Sequence, residues 1–191
     1  MHWHDDAISR LISDERKKWQ NPERIINEIG LEEDYVVCDL ACGPGFFTLE
    51  FASRLGNKGK VYAVDASAKM LDHLRKEIAS RNITASIIII NSDVLKTEIP
   101  SAAAADLVFF ANVLHDIDDK KGFLREVKRI CKKKAKVVDI DWHKDSMGFG
   151  PPYGIRLSEE EALKMISDSG FKFVRRMYGG DFHYGLLFSN S

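Results

Sequence analysis

Short apolar runs and longer amphipathic segments alternate along most of the chain. Residues 87–90 and 107–111, for example, are apolar at every position. Unbroken apolar runs of this length are typical of strands in a parallel sheet that is buried on both faces. The pattern predicts five such strands, at residues 35–40, 60–65, 85–91, 106–111 and 135–141.

The segments between these strands carry apolar residues at helical spacing. One stripe comprises Met70, Leu71, Leu74 and Ile78, and another comprises Phe123, Leu124, Val127 and Ile130. Stripes with this period mark the buried face of a surface helix. We therefore predict helices at residues 47–55, 68–81 and 119–132, the last of which includes Cys131. Strands that alternate with helices predict a doubly wound α/β sheet.

The C-terminal part of the chain departs from this alternation. A helix is predicted at residues 159–169, and two strands follow at 171–178 and 182–188. The Gly179-Gly180-Asp181 turn between these strands is typical of a hairpin, so we expect the last two strands to be antiparallel.

The N-terminal part has its own helical pattern, over residues 2–33. Asn21-Pro22 interrupts this pattern, and proline is well suited to the first turn of a new helix. We expect one domain over residues 1–191, with a helical cap at 1–34 and the sheet within 35–191.

Composition and charge restrict the partners and the cellular compartment that we expect for this chain. The formal net charge is −1, from 28 basic and 29 acidic residues, so no overall field attracts nucleic acid or a membrane surface. The three cysteines do not suggest a disulfide framework. The start of the chain lacks the features of a signal peptide, and the apolar runs are too short to cross a bilayer. We expect a cytoplasmic protein; the sequence pattern does not set its oligomeric state.

Three polar features follow three successive predicted strands. The first is the loop Asp39-Leu-Ala-Cys-Gly-Pro-Gly45, where glycine permits a tight turn and close approach of a ligand to the main chain. The second is Asp65, placed to accept hydrogen bonds from ribose hydroxyls. The third is Asp93, whose carboxylate could accept from an adenine amino group. Thr48 replaces the third glycine of a dinucleotide fingerprint, and no Gly-Lys-Ser/Thr element is present, so an adenosine ligand without phosphates is favoured.

These features resemble the class I S-adenosylmethionine-dependent methyltransferases, over about residues 35–188. The resemblance implies a Rossmann-like, seven-stranded, mostly parallel sheet closed by an antiparallel hairpin, with S-adenosylmethionine as cofactor and S-adenosylhomocysteine as product. One departure is Ala41, where the family usually has glycine. Carried over to this sequence, the resemblance implies a cofactor site formed by Asp39, Ala41, Cys42, Gly43, Gly45, Asp65, Ala66, Met70, Asp93, Val94 and Asn112.

Several acceptor classes are disfavoured by what the sequence lacks. Enzymes that methylate exocyclic amines of bases carry an Asn/Asp-Pro-Pro-aromatic element after the fourth strand, where this chain has Asn112-Val-Leu-His-Asp116. Enzymes acting on carbon 5 of cytosine need a cysteine nucleophile at a strand end, whereas Cys131 is expected within a helix. Arsenite methyltransferases need several exposed cysteines, which the sequence pattern does not predict here. The chain does resemble small-molecule enzymes of the ubiquinone/menaquinone type. The resemblance lies in Asn112-Val-Leu-His-Asp116, in Gly150-Pro-Pro-Tyr-Gly-Ile-Arg-Leu-Ser158 before a Glu-rich helix, and in Arg16-Lys-Lys-Trp-Gln-Asn-Pro22.

Candidate acceptor-site residues cluster after the fourth and fifth strands and in the hairpin. His115 and His143 are candidate bases, although His115 could instead lie beside a helix capped by Asp116 or Asp118. Asp139, Asp141 and His143 share one strand face and could bind a metal, but we predict no metal. The residues expected to line a small-molecule acceptor site are Trp142, Tyr153, Arg156 and His183.

Two alternatives stay open: an RNA or protein methyltransferase that uses Lys132–Lys134, and a catalytically silent cofactor-binding regulator.

Overall fold

The computed structural model describes residues 5–100, 104–145 and 148–191. The first four residues of the predicted cap lie outside this part of the chain. The strands are β1 (Val36–Leu40), β2 (Lys60–Asp65), β3 (Ser86–Asn91), β4 (Ala105–Ala111), β5 (Cys131–Trp142), β6 (Phe171–Tyr178) and β7 (His183–Asn190). The helices are α1 (Asp5–Leu11), α2 (Asp14–Trp19), α3 (Pro22–Ile29), α4 (Thr48–Arg54), α5 (Ala68–Ala79), α6 (Lys120–Ile130) and α7 (Glu159–Asp168). Short 3₁₀ turns occur at Leu114–Asp116 and Tyr153–Ile155.

The seven strands form one sheet in the order β3-β2-β1-β4-β5-β7-β6. Strands β1 to β5 are parallel, and β7 runs antiparallel between β5 and β6. The predicted doubly wound sheet with its C-terminal hairpin is therefore confirmed. The strand order reverses between β1 and β4, and ligands of such sheets bind outside the carboxyl ends of the strands at this switch point.

Helices cover both faces of the sheet. Helices α3, α4 and α5 bury Ile25, Phe51 and Leu74 against one face, while α6 and α7 bury Phe123 and Ile166 against the other. Helix α3 is thus part of the layer that covers the sheet, although the sequence pattern grouped it with the N-terminal cap. No helix of the described residues is long and apolar enough to cross a membrane.

The boundary between α6 and β5 differs from the prediction. The helix ends at Ile130, and Cys131 begins the strand instead of lying in the helix. The apolar stripe of α6 also ends at Ile130. Because no apolar side chain at helical spacing follows, further helix would bury no additional apolar surface. Lys132–Lys134 form an irregular start of β5, in which Lys134 has a φ of 65° and Lys132 Nζ lies 2.7 Å from Asp106 Oδ1. The helix begins at Lys120, and Asp119 is its N-cap. We had expected Asp116 or Asp118 in this position.

Candidate active site

The loop after β1 turns tightly through three residues with left-handed backbone. Ala41, Gly43 and Gly45 have φ values of 55°, 56° and 94°. A Cβ at Gly45 would lie 2.3 Å from Leu74 Cδ1, so a side chain there would displace Leu74 of α5 and would also be strained by the left-handed backbone. A Cβ at Gly43 would have no atom of the described chain within 4 Å, because this glycine faces a cavity. The two glycines therefore have different functions, one in packing and one in exposing the main chain to a ligand.

Asp65, the last residue of β2, fastens this loop. Its Oδ2 accepts from the Gly43 amide and its Oδ1 accepts from the Ser67 amide, both at 2.8 Å. Burial raises the pKa of Asp65, and the two amide hydrogen bonds oppose this rise. The carboxylate is thereby held in one orientation at the cavity wall. Such an arrangement is suited to accept hydrogen bonds from a diol, because each carboxylate oxygen has a second lone pair.

Asp39 is a second carboxyl group at the same cavity. It is almost fully buried, and it accepts a hydrogen bond from Thr48 Oγ1 at 2.5 Å. Burial raises its pKa to about 7, while the Thr48 hydrogen bond and the charge of Arg16 work in the opposite direction. A bound ammonium group would favour the ionised form of Asp39.

The cavity bounded by this loop has a volume of about 640 Å³. That volume lies within the range of small-molecule and cofactor sites. Of the residues predicted to bind cofactor, those that line it are Asp39, Ala41, Cys42, Gly43, Asp65, Met70 and Asn112. Gly45, Ala66, Asp93 and Val94 are not among the lining residues, and Asp93 Oδ1 instead accepts from the Leu95 amide at 2.8 Å. Contacts of Asp93 and Val94 with adenine stay a prediction.

His115 and Asp141 form a buried pair at the carboxyl ends of β4 and β5. His115 Nδ1 lies 2.6 Å from Asp141 Oδ1, and both side chains are less than one-tenth exposed. Asp141 also accepts from the amides of His115 and Trp142, at 3.0 and 2.8 Å. An ionised Asp141 that already accepts two amide hydrogen bonds favours the tautomer in which His115 Nδ1 donates a proton to it. His115 Nε2 is then the nitrogen able to accept a proton.

A second cavity of about 430 Å³ adjoins the first. Four residues line both cavities, namely Leu11, Arg16, Asn112 and His115. The second cavity is further lined by Arg10, Trp19, Trp142 and Gly150. The Trp19 and Trp142 ring centroids are 5.9 Å apart and tilted by 44°. His115 therefore stands at the junction between a cofactor-sized cavity and a smaller aromatic one.

Besides Arg10 and Leu11, three residues of the N-terminal segment belong to this site, although the sequence pattern gave them no role. Arg16 and Trp19 line cavities, and Gln20 Oε1 accepts from Arg16 and, at 3.1 Å, from Asn112 Nδ2. Asn112 has a φ of 60°, which turns the chain sharply at the end of β4. The sequence signal was Arg16-Lys-Lys-Trp-Gln-Asn-Pro22, which resembles the openings of uncharacterised members of the subgroup but indicates no role.

The remaining predicted acceptor residues do not line either cavity. Arg156 donates to the carbonyl oxygens of His143, Asp145, Phe149 and Pro151, at 2.6–3.2 Å. Arg156, which we expected to line the acceptor site, uses its guanidinium to hold the loop after β5. Tyr153 is 58% exposed and projects into solvent.

His143 and His183 also lie outside the lining residues. The His143 ring packs 5.9 Å from the Tyr184 ring. His183 lies behind the aromatic cavity, where it stacks on Trp19 at 5.5 Å and 8° and approaches Trp142 at 4.2 Å. Burial lowers the pKa of His183 to about 3, so its ring is neutral and supports the two tryptophans. The described residues contain no cluster of three or more His, Cys, Asp or Glu side chains that could hold a metal ion.

Comparisons with known proteins agree with this geometry. A family model described as a methyltransferase domain matches residues 31–174. The crystal structure of a SAM-dependent methyltransferase from Aquifex aeolicus is similar, with a TM-score of 0.90, 27% identity and 100% of both chains covered. A 2-phytyl-1,4-naphtoquinone methyltransferase of Trichormus variabilis is 28% identical over 74% of this chain and 60% of its own length. A demethylmenaquinone methyltransferase of Staphylococcus aureus is 25% identical over 91% of this chain and 65% of its own. This chain thus spans less than two thirds of the length of these curated relatives.

Proposed function

We propose that this chain, which belongs to the methyltransferase-domain family, transfers a methyl group from S-adenosylmethionine to a small planar acceptor. The prediction of a class I S-adenosylmethionine-dependent methyltransferase, made from the glycine-rich loop and the acidic strand ends, is confirmed by the family match. The observation that carries the acceptor proposal is the aromatic cavity beside the cofactor cavity, with His115 at their junction.

The chemistry requires few groups from the protein. The cofactor supplies an electrophilic methyl group, so the chain must position the acceptor and exclude water. A base is needed only where the acceptor carries a proton that must leave. His115 meets this need, because Asp141 holds its Nδ1 and leaves Nε2 to accept a proton at the cavity junction. The paired Asp141 carboxylate stabilises the imidazolium that results.

The shape of the acceptor cavity supports a small molecule. Two tryptophan side chains border it, and aromatic walls favour a flat apolar body. Relatives named for naphthoquinone and demethylmenaquinone substrates support a quinone-type or phenolic acceptor. The lysine cluster at Lys132–Lys134 follows Cys131 at the start of β5, so it lies at the opposite end of this strand, about 23–30 Å from Asp141 by strand length. It is poorly placed to guide RNA to the cavity.

A labelled-methyl transfer screen tests this proposal. The chain is incubated with methyl-labelled S-adenosylmethionine and, separately, with hydroxylated aromatic compounds and quinols, total RNA and a protein fraction. We expect label only in the small aromatic acceptors. Label confined to RNA or protein would overturn the small-molecule assignment, and cofactor binding without any transfer would favour a silent regulator. A Lys133→Glu/Lys134→Glu variant is the control and should transfer label as the wild type does.

A further inference from the structure

Arg156 is a buried cation whose role the proposed reaction does not explain. It is 3% exposed, and its guanidinium donates to four carbonyl oxygens. Four of its five N–H groups are therefore occupied by the main chain, which leaves little capacity to bind a substrate anion. A charge buried among neutral acceptors is costly to keep. The function of Arg156 therefore lies in the residues that its guanidinium holds.

The four carbonyl groups belong to two parts of the loop after β5, of which residues 143–145 and 148–155 are described. His143 and Asp145 come just after the strand, and their oxygens both accept from Nη1 at 3.2 Å. Phe149 and Pro151 come later in the loop, and their oxygens accept from Nη2 and Nε at 2.6 and 2.8 Å. The donors of a guanidinium form a rigid planar fork, so the guanidinium fixes the two parts of the loop relative to each other.

This loop supplies walls to both cavities. Gly150 lines the aromatic cavity, whereas Pro151, Pro152 and Ile155 line the cofactor cavity. Arg156 itself lines neither of them. Its hydrogen bonds hold the main chain where the two cavities adjoin, so Arg156 can act on a ligand only through other residues.

Trp142 is the cavity residue that Arg156 affects most directly. The guanidinium carbon lies 5.7 Å from the centroid of the Trp142 ring, which lines the aromatic cavity. A Cβ at Gly150 would lie 3.0 Å from Trp142 Cε3 and 3.2 Å from Arg156 Nη2, so the main chain at Gly150 packs tightly against both. The Phe149 ring packs edge-on against the indole, with centroids 6.0 Å apart. Trp142 is thus in contact with the part of the loop that Arg156 holds.

We propose that Arg156 is a positioning residue for the methyl acceptor: it holds Gly150 against Trp142 and thereby fixes the wall of the aromatic cavity. Without the guanidinium, four carbonyl groups would lose their donor, and the loop would have to move for them to reach water. The indole would then lose its packing against Gly150. This inference rests on the proposed function only in taking the aromatic cavity as the acceptor site.

The link between Arg156 and Trp142 is tested without any ligand. The chain has three tryptophans, so a Trp3→Phe/Trp19→Phe background leaves Trp142 as the single indole fluorophore. In this background we expect Arg156→Met to shift the emission of Trp142 to longer wavelength and to increase its quenching by acrylamide, because the ring becomes more exposed to water. Arg156→Lys should give intermediate values, because an ammonium group retains the charge and three donors but not the planar fork.

The effect on the acceptor is tested with 2-naphthol, a flat hydroxylated aromatic compound, in the otherwise wild-type chain. Calorimetry gives its affinity in the presence of saturating S-adenosylhomocysteine and, separately, the affinity for S-adenosylmethionine. We expect Arg156→Met to weaken 2-naphthol binding about 3- to 10-fold, the size of one lost aromatic contact, and to change S-adenosylmethionine binding less than about 2-fold. Arg156→Lys should restore part of the 2-naphthol affinity.

Arg129→Met is the matched control. Arg129 also donates to loop carbonyls, those of Thr97 and Ile99 at 3.3 and 3.1 Å, but it lines neither cavity. Its loss should lower thermal stability and leave both the 2-naphthol affinity and the quenching of Trp142 unchanged. Thermal unfolding shows whether each variant is folded at the assay temperature. If Arg156→Met does not fold, Arg156→Lys must still show both changes on a smaller scale.

Two outcomes would overturn the proposal. Unchanged 2-naphthol affinity in Arg156→Met, with or without a change in Trp142 quenching, would mean that Arg156 only stabilises the loop. Equal weakening of 2-naphthol and S-adenosylmethionine would mean a general disturbance of the site. Failure of the proposed function looks different: increased quenching in Arg156→Met, while the wild type does not bind 2-naphthol, would support the link between Arg156 and Trp142 and contradict the acceptor site itself.

Discussion

The two halves of the active site are built in different ways. Nearly half of the residues that line the cofactor cavity come from one continuous stretch, residues 39–70, in which backbone amides and glycines set the geometry. The acceptor half gathers side chains from separate parts of the chain, including Trp19, His115 and Trp142. A site made of main-chain groups depends on the conformation of one loop. A site made of side chains depends on how distant elements meet.

Hydrogen bonding follows the same division. In the cofactor half, Asp39 and Asp65 have protein partners that fix their carboxyl groups. Near the acceptor half, Asp139, His183 and Tyr184 bury side-chain polar atoms that have no partner among the described residues. Buried polar groups without a partner cost stability.

The largest effect that would sharpen this comparison is expected at His115. His115→Asn should lower kcat about 10²- to 10⁴-fold, because the proposed base is lost, while the affinity for S-adenosylmethionine changes little. Steady-state kinetics on an acceptor that loses a proton, together with calorimetry, measures both quantities. His73→Asn, on helix α5 outside both cavities, is the control and should retain activity. Full activity of the His115 variant would remove the base from the acceptor half.

The next effect concerns the cofactor half. Asp65→Ala should weaken S-adenosylmethionine binding by about 1–3 kcal/mol, because it removes ribose acceptors and releases the Gly43 amide. Asp93→Ala should weaken it less, since Asp93 does not line the cavity and caps Leu95. Calorimetry of the two variants gives the ranking. An equal or larger loss at Asp93 would contradict the placement of the cofactor in this cavity.

Sequence reasoning worked where function depends on local backbone. The order of strands and helices, the closing hairpin and the loop from Asp39 to Gly45 were all predicted, because apolar periodicity and glycine placement are local properties. The boundary at Cys131 was wrong, since three lysines carry no apolar signal with which to distinguish a helix end from a strand start. The pairing of Ala105 with Cys131, followed by a register shift before Leu107 pairs with Lys136, marks the start of the strand in the structure.

The acceptor half was predicted only in part, for a physical reason. His115 and Trp142 were named because they follow strands that end at the ligand-binding edge. Arg16 and Trp19 were missed, because a helix in the first twenty residues can dock in many places. Arg156 was assigned to substrate, yet its donors satisfy four loop carbonyls, a requirement visible only once the loop path is known.

A smaller effect, on stability, is expected at Asp139. This carboxyl is fully buried and has no hydrogen-bond partner within residues 5–100, 104–145 and 148–191, and burial raises its pKa well above 3.8. The unfolded chain ionises near that ordinary value while the folded chain stays protonated, so the group lowers stability as pH rises above about 3.8. Asp139→Asn should raise the free energy of unfolding at pH 7 by about 1–3 kcal/mol and flatten its pH dependence. Urea unfolding between pH 4 and 8 measures this.

The control for this prediction is Asp72→Asn, at a solvent-exposed ion pair with Arg75. Such pairs contribute little, so its free energy of unfolding should change by less than about 1 kcal/mol. A loss of stability in Asp139→Asn at every pH would mean that the native carboxyl has a partner that the asparagine amide cannot replace.

The smallest effect compares two left-handed residues, one in each half. Ala41→Gly should stabilise the fold by up to about 1 kcal/mol, because relief of the left-handed strain of alanine exceeds the added freedom of glycine in the unfolded chain. Asn112→Gly should instead destabilise it by about 1 kcal/mol, because asparagine tolerates this conformation and its amide binds Gln20. Thermal unfolding of both variants decides the signs. If main-chain geometry governs the cofactor half and side-chain contacts govern the acceptor half, the two substitutions must change stability in opposite directions. Changes in the same direction would mean that backbone strain alone determines the residue at both positions.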